Sequence, residues 1–121
     1  MKHSSLASVF VIASAATFCA SAATEYKDTC TVAPANCKVL KEDSKFRVID
    51  YTAKAGDKVG MHSHPAHVVY ALEGGKIKFI MPDNSVKEVD TKAGDVMINP
   101  KTVHATDHLT DVHVIIVEAK E

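Results

Sequence analysis

Residues 56–74 read Gly-Asp-Lys-Val-Gly-Met-His-Ser-His-Pro-Ala-His-Val-Val-Tyr-Ala-Leu-Glu-Gly. His62 and His64 stand two residues apart. In an extended strand, residues i and i+2 project from the same face, about 6–7 Å apart at Cα. Two imidazoles so placed can hold one divalent ion, with further ligands drawn from other strands. Their nitrogens are neutral over most of the range above pH 7 and are ready ligands. A third histidine, His67, falls within the same six positions, and His104 and His108 lie further on.

Outward from this stretch the pattern is β. Before it, Phe46–Thr52 alternates, with Arg47, Ile49 and Tyr51 on one face, and Ala55-Gly56-Asp57 marks a turn. After it come Val68–Leu72, closed by Gly74-Gly75, and Lys76–Met81, with Ile77, Phe79 and Met81 on one face. A hairpin turn at Pro82–Ser85, a strand to Asp90 and a turn at Lys92–Asp95 follow. Val96–Ile98, Thr102–Thr106 and Val112–Glu118 end the chain. Strands recur about every ten residues with turn signals between them, and no segment holds a 3.6-residue period over three turns. The expected class is an all-β sandwich or barrel of eight or nine strands, a jelly roll. The last strand, apolar on both faces, is expected to be central or well covered.

The chain has 121 residues, 14 Lys+Arg against 15 Asp+Glu, and 46% hydrophobic residues. One domain is expected at this length. No basic surplus is available for nucleic acid, and apolar content is too ordinary for disorder. Residues 1–22 have a short positive start (Lys2, His3), an apolar run from Leu6 to Phe18, and the small-residue exit Ala20-Ser21-Ala22. This is the secretory pattern, with cleavage after Ala22. The run is too short to span a bilayer comfortably, so no membrane partner is expected once it is removed.

Removing 22 of the 121 residues leaves 99, with six of the seven histidines and two of the three cysteines. Cys19 leaves with the leader, and Cys30 and Cys37 remain. Export places them in an oxidising compartment, periplasmic or secreted, where a disulfide is stable. No C-x-x-C redox motif or short zinc clamp is present. Residues 23–36 read as a polar, irregular arm, and the domain as 37–121.

The segment from Gly56 to Gly74 resembles the first motif of the cupin superfamily, with Gly56, His62, His64 and Gly74 in place. The segment from Gly94 resembles the second, with Gly94, Pro100 and His104 in place. The resemblance implies a double-stranded β-helix barrel with a metal in its mouth, and carries over His62, His64 and His104 as ligands. The motif's glutamate is missing; His67 stands in its slot and is carried over by position only. The second motif's Gly and Asn are also replaced, and His108 stands where the Asn would be. Four histidines, or three, give a neutral shell suited to Fe, Zn, Ni or Cu and to an anionic substrate.

No Asp or Glu occupies an obvious ligand position, and Glu73 is expected to be exposed. His108 and His113 are read as non-ligands. Tyr70, Phe79, Met61 and Met97 are read as core, and Arg47 as half of a surface ion pair, though it could reach an anionic substrate.

Two function classes remain open. One is a small metal-dependent enzyme, dioxygenase-like or a lyase/isomerase, acting on a small oxygenated molecule, with no catalytic residue assigned. The other is a non-catalytic module that binds a metal or small ligand. Exposed sheet edges in a single-domain jelly roll suggest a homodimer.

Overall fold

The computed structural model describes residues 25–121, together with Ile12. The expected leader, its cut after Ala22 and Cys19 otherwise fall outside the described residues. A helical turn, α1 (Thr29–Val32), and a 3-10 turn at Pro34–Asn36 lead into nine strands. These are β1 (Cys37–Glu42), β2 (Phe46–Ala53), β3 (Lys58–His64), β4 (His67–Glu73), β5 (Gly75–Ile80), β6 (Val86–Thr91), β7 (Val96–Asn99), β8 (Thr102–His108) and β9 (Val112–Ala119). They form two sheets, β1-β2-β9-β4-β7 and β3-β8-β5-β6, with every strand pair antiparallel.

The jelly roll is thus as expected, and β9 is the central strand of the larger sheet. The arm is not wholly irregular. The Asp28 carboxylate accepts from the backbone N–H groups of Cys30 and Thr31 at the start of α1, as N-capping requires. Ser63 of β3 clasps the segment, its N–H donating to Lys27 O and its Oγ to Tyr26 O, both at 2.9 Å. Cys30 and Cys37 are joined by a disulfide, with Cα atoms 5.4 Å apart.

One turn chemistry is used twice, at Lys54-Ala-Gly-Asp57 and Lys92-Ala-Gly-Asp95. Each aspartate carboxylate accepts from the lysine N–H, at 2.9 and 2.8 Å. Each glycine has φ +91°, where a side chain would be strained.

Alternation decides what faces inward. On β9, Val112, Val114, Ile116 and Glu118 are buried while their neighbours are half-buried. On β2 the buried residues are Ile49, Tyr51 and Ala53. Register stacks these residues in rows across the larger sheet. The first row is Arg47, Glu118, His67 and Asn99; the second is Ile49, Ile116, Val69 and Met97; the third is Tyr51, Val114 and Ala71. A polar end, an apolar belt and a third row bearing one phenol therefore face the smaller sheet.

The outer face of β4 and β7 carries exposed Val68, Tyr70, Leu72, Val96 and Ile98. Tyr70 is therefore not core; its parity turns it outward.

Ile49 is fully buried at the centre of the apolar cluster. Ile49→Ala is expected to lower unfolding free energy by about 2–5 kcal/mol, read as a reduced urea midpoint with an unchanged m-value.

Candidate metal centre

His62 and His64 leave the inner face of β3, and β8 pairs His104 directly against His62. All three are buried. Each offers one ring nitrogen within 4.8 Å of the others. The rings meet edge to face, His62 with His64 and His62 with His104 both at centroid distances of 4.9 Å.

Hydrogen bonds fix how two of these rings are protonated. His62 Nδ1 donates to Gly60 O at 2.7 Å. His64 Nδ1 donates to Glu118 Oε2 at 3.0 Å. The Nε2 atoms of both therefore carry lone pairs, and they face each other at 3.2 Å. A cation between them suits both. Thr29 Oγ1, delivered by α1, lies 3.0 Å from His64 Nε2. His104 packs against Phe79 at 4.8 Å and has no hydrogen-bond partner among the described residues.

Burial resists charging of two of the rings, pushing His62 down to about 4 and His104 down to about 3, with the neighbouring histidines adding to the effect. Neutral, convergent imidazoles are the donor set that divalent Fe, Zn, Ni or Cu accepts. The residues present fit such an ion.

His67 stays outside this group of three. It comes from the opposite sheet and stacks on His64 with centroids 4.6 Å apart. Its Nδ1 donates to Pro65 O at 2.7 Å, and its Nε2 faces the Asn99 amide nitrogen at 3.4 Å. His108 is buried elsewhere on β8, and His113 pairs with Asp50 on the outer side at 2.9 Å. Glu73 is exposed.

One residue was missed, and one expectation is corrected. A carboxylate does serve the site: Glu118, only 2% exposed, stands behind His64. It shares the inward parity of Val112, Val114 and Ile116, so the period of β9 carries the signal. It was missed because it lies outside both histidine motifs. Burial opposes its charge, but hydrogen bonds from His64 and Arg47 more than offset this and hold its carboxyl below the ordinary range.

Arg47, in turn, is not on the surface. It is 18% exposed and donates to Glu118 Oε1 through Nε at 2.9 Å and Nη2 at 2.6 Å, and to Asp28 at 3.0 Å. The charged groups behind the three imidazoles are two carboxylates to one guanidinium. This is the carboxylate–histidine arrangement that orients a ligand ring and raises its basicity.

The histidines close one end of a cavity of about 450 Å³ between the sheets. Its walls include Val69, Ile77, Phe79, Met97 and Ile116. Phe79 and Met97 thus line a cavity rather than filling a solid core, because the two sheets stand apart there; Met61 is half-buried outside it. Among the described residues, Lys87 is the only Lys or Arg in the lining, and no carboxylate is present.

No protein-family model matches the chain, and no curated protein matches it. Solved structures do. A cupin domain from Bordetella pertussis superposes with a TM-score of 0.63 at 18% identity, covering 70% of this chain and 92% of that one. An RmlC-like cupin from Desulfovibrio desulfuricans gives 0.52 at 26% identity, covering 69% and 79%. A Klebsiella pneumoniae protein with a double-stranded β-helix domain gives 0.55 at 23% identity, covering 69% and 74%. The fold is the cupin double-stranded β-helix. At these identities the likeness establishes architecture, and function has to come from the cupin barrel's own side chains.

Because His62 and His104 refuse protons when folded but take them near pH 6.5 when unfolded, acid favours unfolding. The stability of the metal-free protein is expected to be full above about 6.5 and to decline as pH falls towards 4. Urea midpoints measured from pH 7.5 to 4.5 check this, and His104→Asn is expected to flatten the decline.

Proposed function

We propose that this chain is an exported metal-binding cupin. Its His62, His64 and His104 hold a divalent transition metal for a small metal-dependent enzyme, dioxygenase-like or a lyase/isomerase, acting on a small oxygenated molecule. The observation that carries the reading is the convergence of His62, His64 and His104, with the Nε2 lone pairs of the first two facing at 3.2 Å, at one end of an apolar-walled cavity.

When bound, the metal supplies Lewis-acid chemistry, and redox chemistry where it is iron or copper. The chain's own residues do the rest. Gly60 O and Glu118 hold the His62 and His64 rings with their Nε2 atoms inward. Val69, Phe79, Met97 and Ile116 exclude water and fit an apolar body. His67 stands next to His64, within reach of Asn99, as a fourth ligand or a proton carrier. With no carboxylate in the lining and Lys87 present, the cavity suits an uncharged or anionic molecule.

Export is supported by the disulfide, which persists in oxidising compartments. The apolar outer face of β4 and β7 suits a second copy as partner.

Metal analysis of untagged protein is the direct test. About one equivalent of transition metal is expected, lost in both His62→Ala and His104→Ala; retention in both variants removes the site. Oxygen uptake by the iron-loaded protein with small phenols or thiols supports the oxygenase reading. Zinc in every preparation with no turnover assigns the site to binding instead. Separately, protein recovered from the periplasmic fraction is expected to begin at Ala23 by intact mass; a full-length mass there refutes the leader.

A further inference from the structure

The cavity has a second polar station that the histidine centre does not use. Thr106 and His108 follow His104 on β8 at the same parity, about 7 and 13 Å further along at Cα. Tyr51 faces them from β2, and all three side chains line the cavity. Between this station and the three histidines lies the belt that includes Val69, Phe79, Met97 and Ile116.

The protons here have a readable direction. His108 Nδ1 donates to Asp57 O at 3.1 Å, so its Nε2 is an acceptor, and the Tyr51 hydroxyl donates to it at 3.2 Å. The Tyr51 hydrogen is thus committed, and its oxygen still accepts. Thr106 is only 6% exposed, and its Oγ1 stands beside the Tyr51 hydroxyl without making a well-formed hydrogen bond among the described residues. A buried hydroxyl left unpaired costs about 1–3 kcal/mol, and such groups are rare among buried polar atoms.

We infer that Tyr51 and Thr106, set by His108, form an anchor for an uncharged hydroxyl group. It would belong to a ligand whose apolar body fills the belt and whose other polar end reaches His62, His64 and His104. The inference rests on the proposed use of the cavity as the binding site. A hydroxyl fits because it can accept from Thr106 and donate to Tyr51 at once. An ionised group does not fit. Lys87, the only Lys or Arg in the lining, stands two strands away across Phe79. Burial also keeps the Tyr51 phenol protonated, pushed up to about 12.

Phenol and toluene test this, having nearly the same shape and differing in the hydroxyl. The protein is used metal-free, so the phenol oxygen has no ion to bind and the result does not depend on metal occupancy, which metal analysis decides separately. In NMR titrations of the metal-free, full-length protein, phenol is expected to bind at least tenfold more tightly than toluene and to shift the Tyr51, Thr106 and His108 resonances. Thr106→Val and Tyr51→Phe are each expected to bring the ratio towards one with toluene affinity unchanged. Thr106→Val should also unfold at an equal or higher temperature, because it removes an unpaired buried hydroxyl. Equal affinities in the wild type, a ratio unmoved in both variants, or no binding of either probe overturns the anchor.

Discussion

A carboxylate buried between two sheets has to be paired, because removing one partner of a buried ion pair typically costs about 3–5 kcal/mol. Glu118 is that carboxylate here, and its partners fix more than its charge. Its Oε1 takes Arg47 from β2, and its Oε2 takes His64 from the facing sheet. Arg47 extends the chain to Asp28, which caps α1. One side chain thus ties the central strand of the larger sheet to its neighbour, to the opposite sheet and to the N-terminal segment. The His64 ring takes its orientation from this pairing, and the separation of the sheets at that end is set by the same short contacts.

Much of this was legible in the sequence, because a β-barrel is written in a period of two. The alternation of Arg47, Ile49 and Tyr51 matches the inner face of β2, and the apolar run at the chain's end marked the central strand. The spacing of His62 and His64 put both on one face, and the second motif placed His104 opposite. What stayed hidden were contacts between residues far apart in the chain. Glu118 and His64 are 54 positions apart, and Arg47 and Glu118 are 71 apart. Motif reading treats each stretch separately, so an acidic residue in the last strand carried no mark of its partner. His67 shows the opposite limit. Its slot in the first motif suggested a ligand, and the motif could not show that the step from β3 to β4 carries it to the other sheet, where its Nδ1 meets Pro65 O and its Nε2 lies near Asn99.

The cavity follows from the same layering. Polar rows at two levels enclose an apolar belt, so a molecule lying along it would meet nitrogen bases at one end and hydroxyls at the other. Chemistry in this barrel would come from what the three imidazoles hold, with the walls controlling shape and water.

The Cys30–Cys37 bridge has a consequence beyond stability. It closes the segment that immediately follows Asp28 and Thr29 onto the first residue of β1. Asp28 is a partner of Arg47, and Thr29 is a partner of His64. Thiol oxidation therefore shortens the tether on which two contacts of the histidine centre depend. With the thiols free, that segment is held by its hydrogen bonds to β3, the Asp28–Arg47 pair and the Asn36 amide's bonds to Thr52 and Asp57. The redox state of a pair of sulfurs is in this way linked to the seating of the His64 ring on a different sheet.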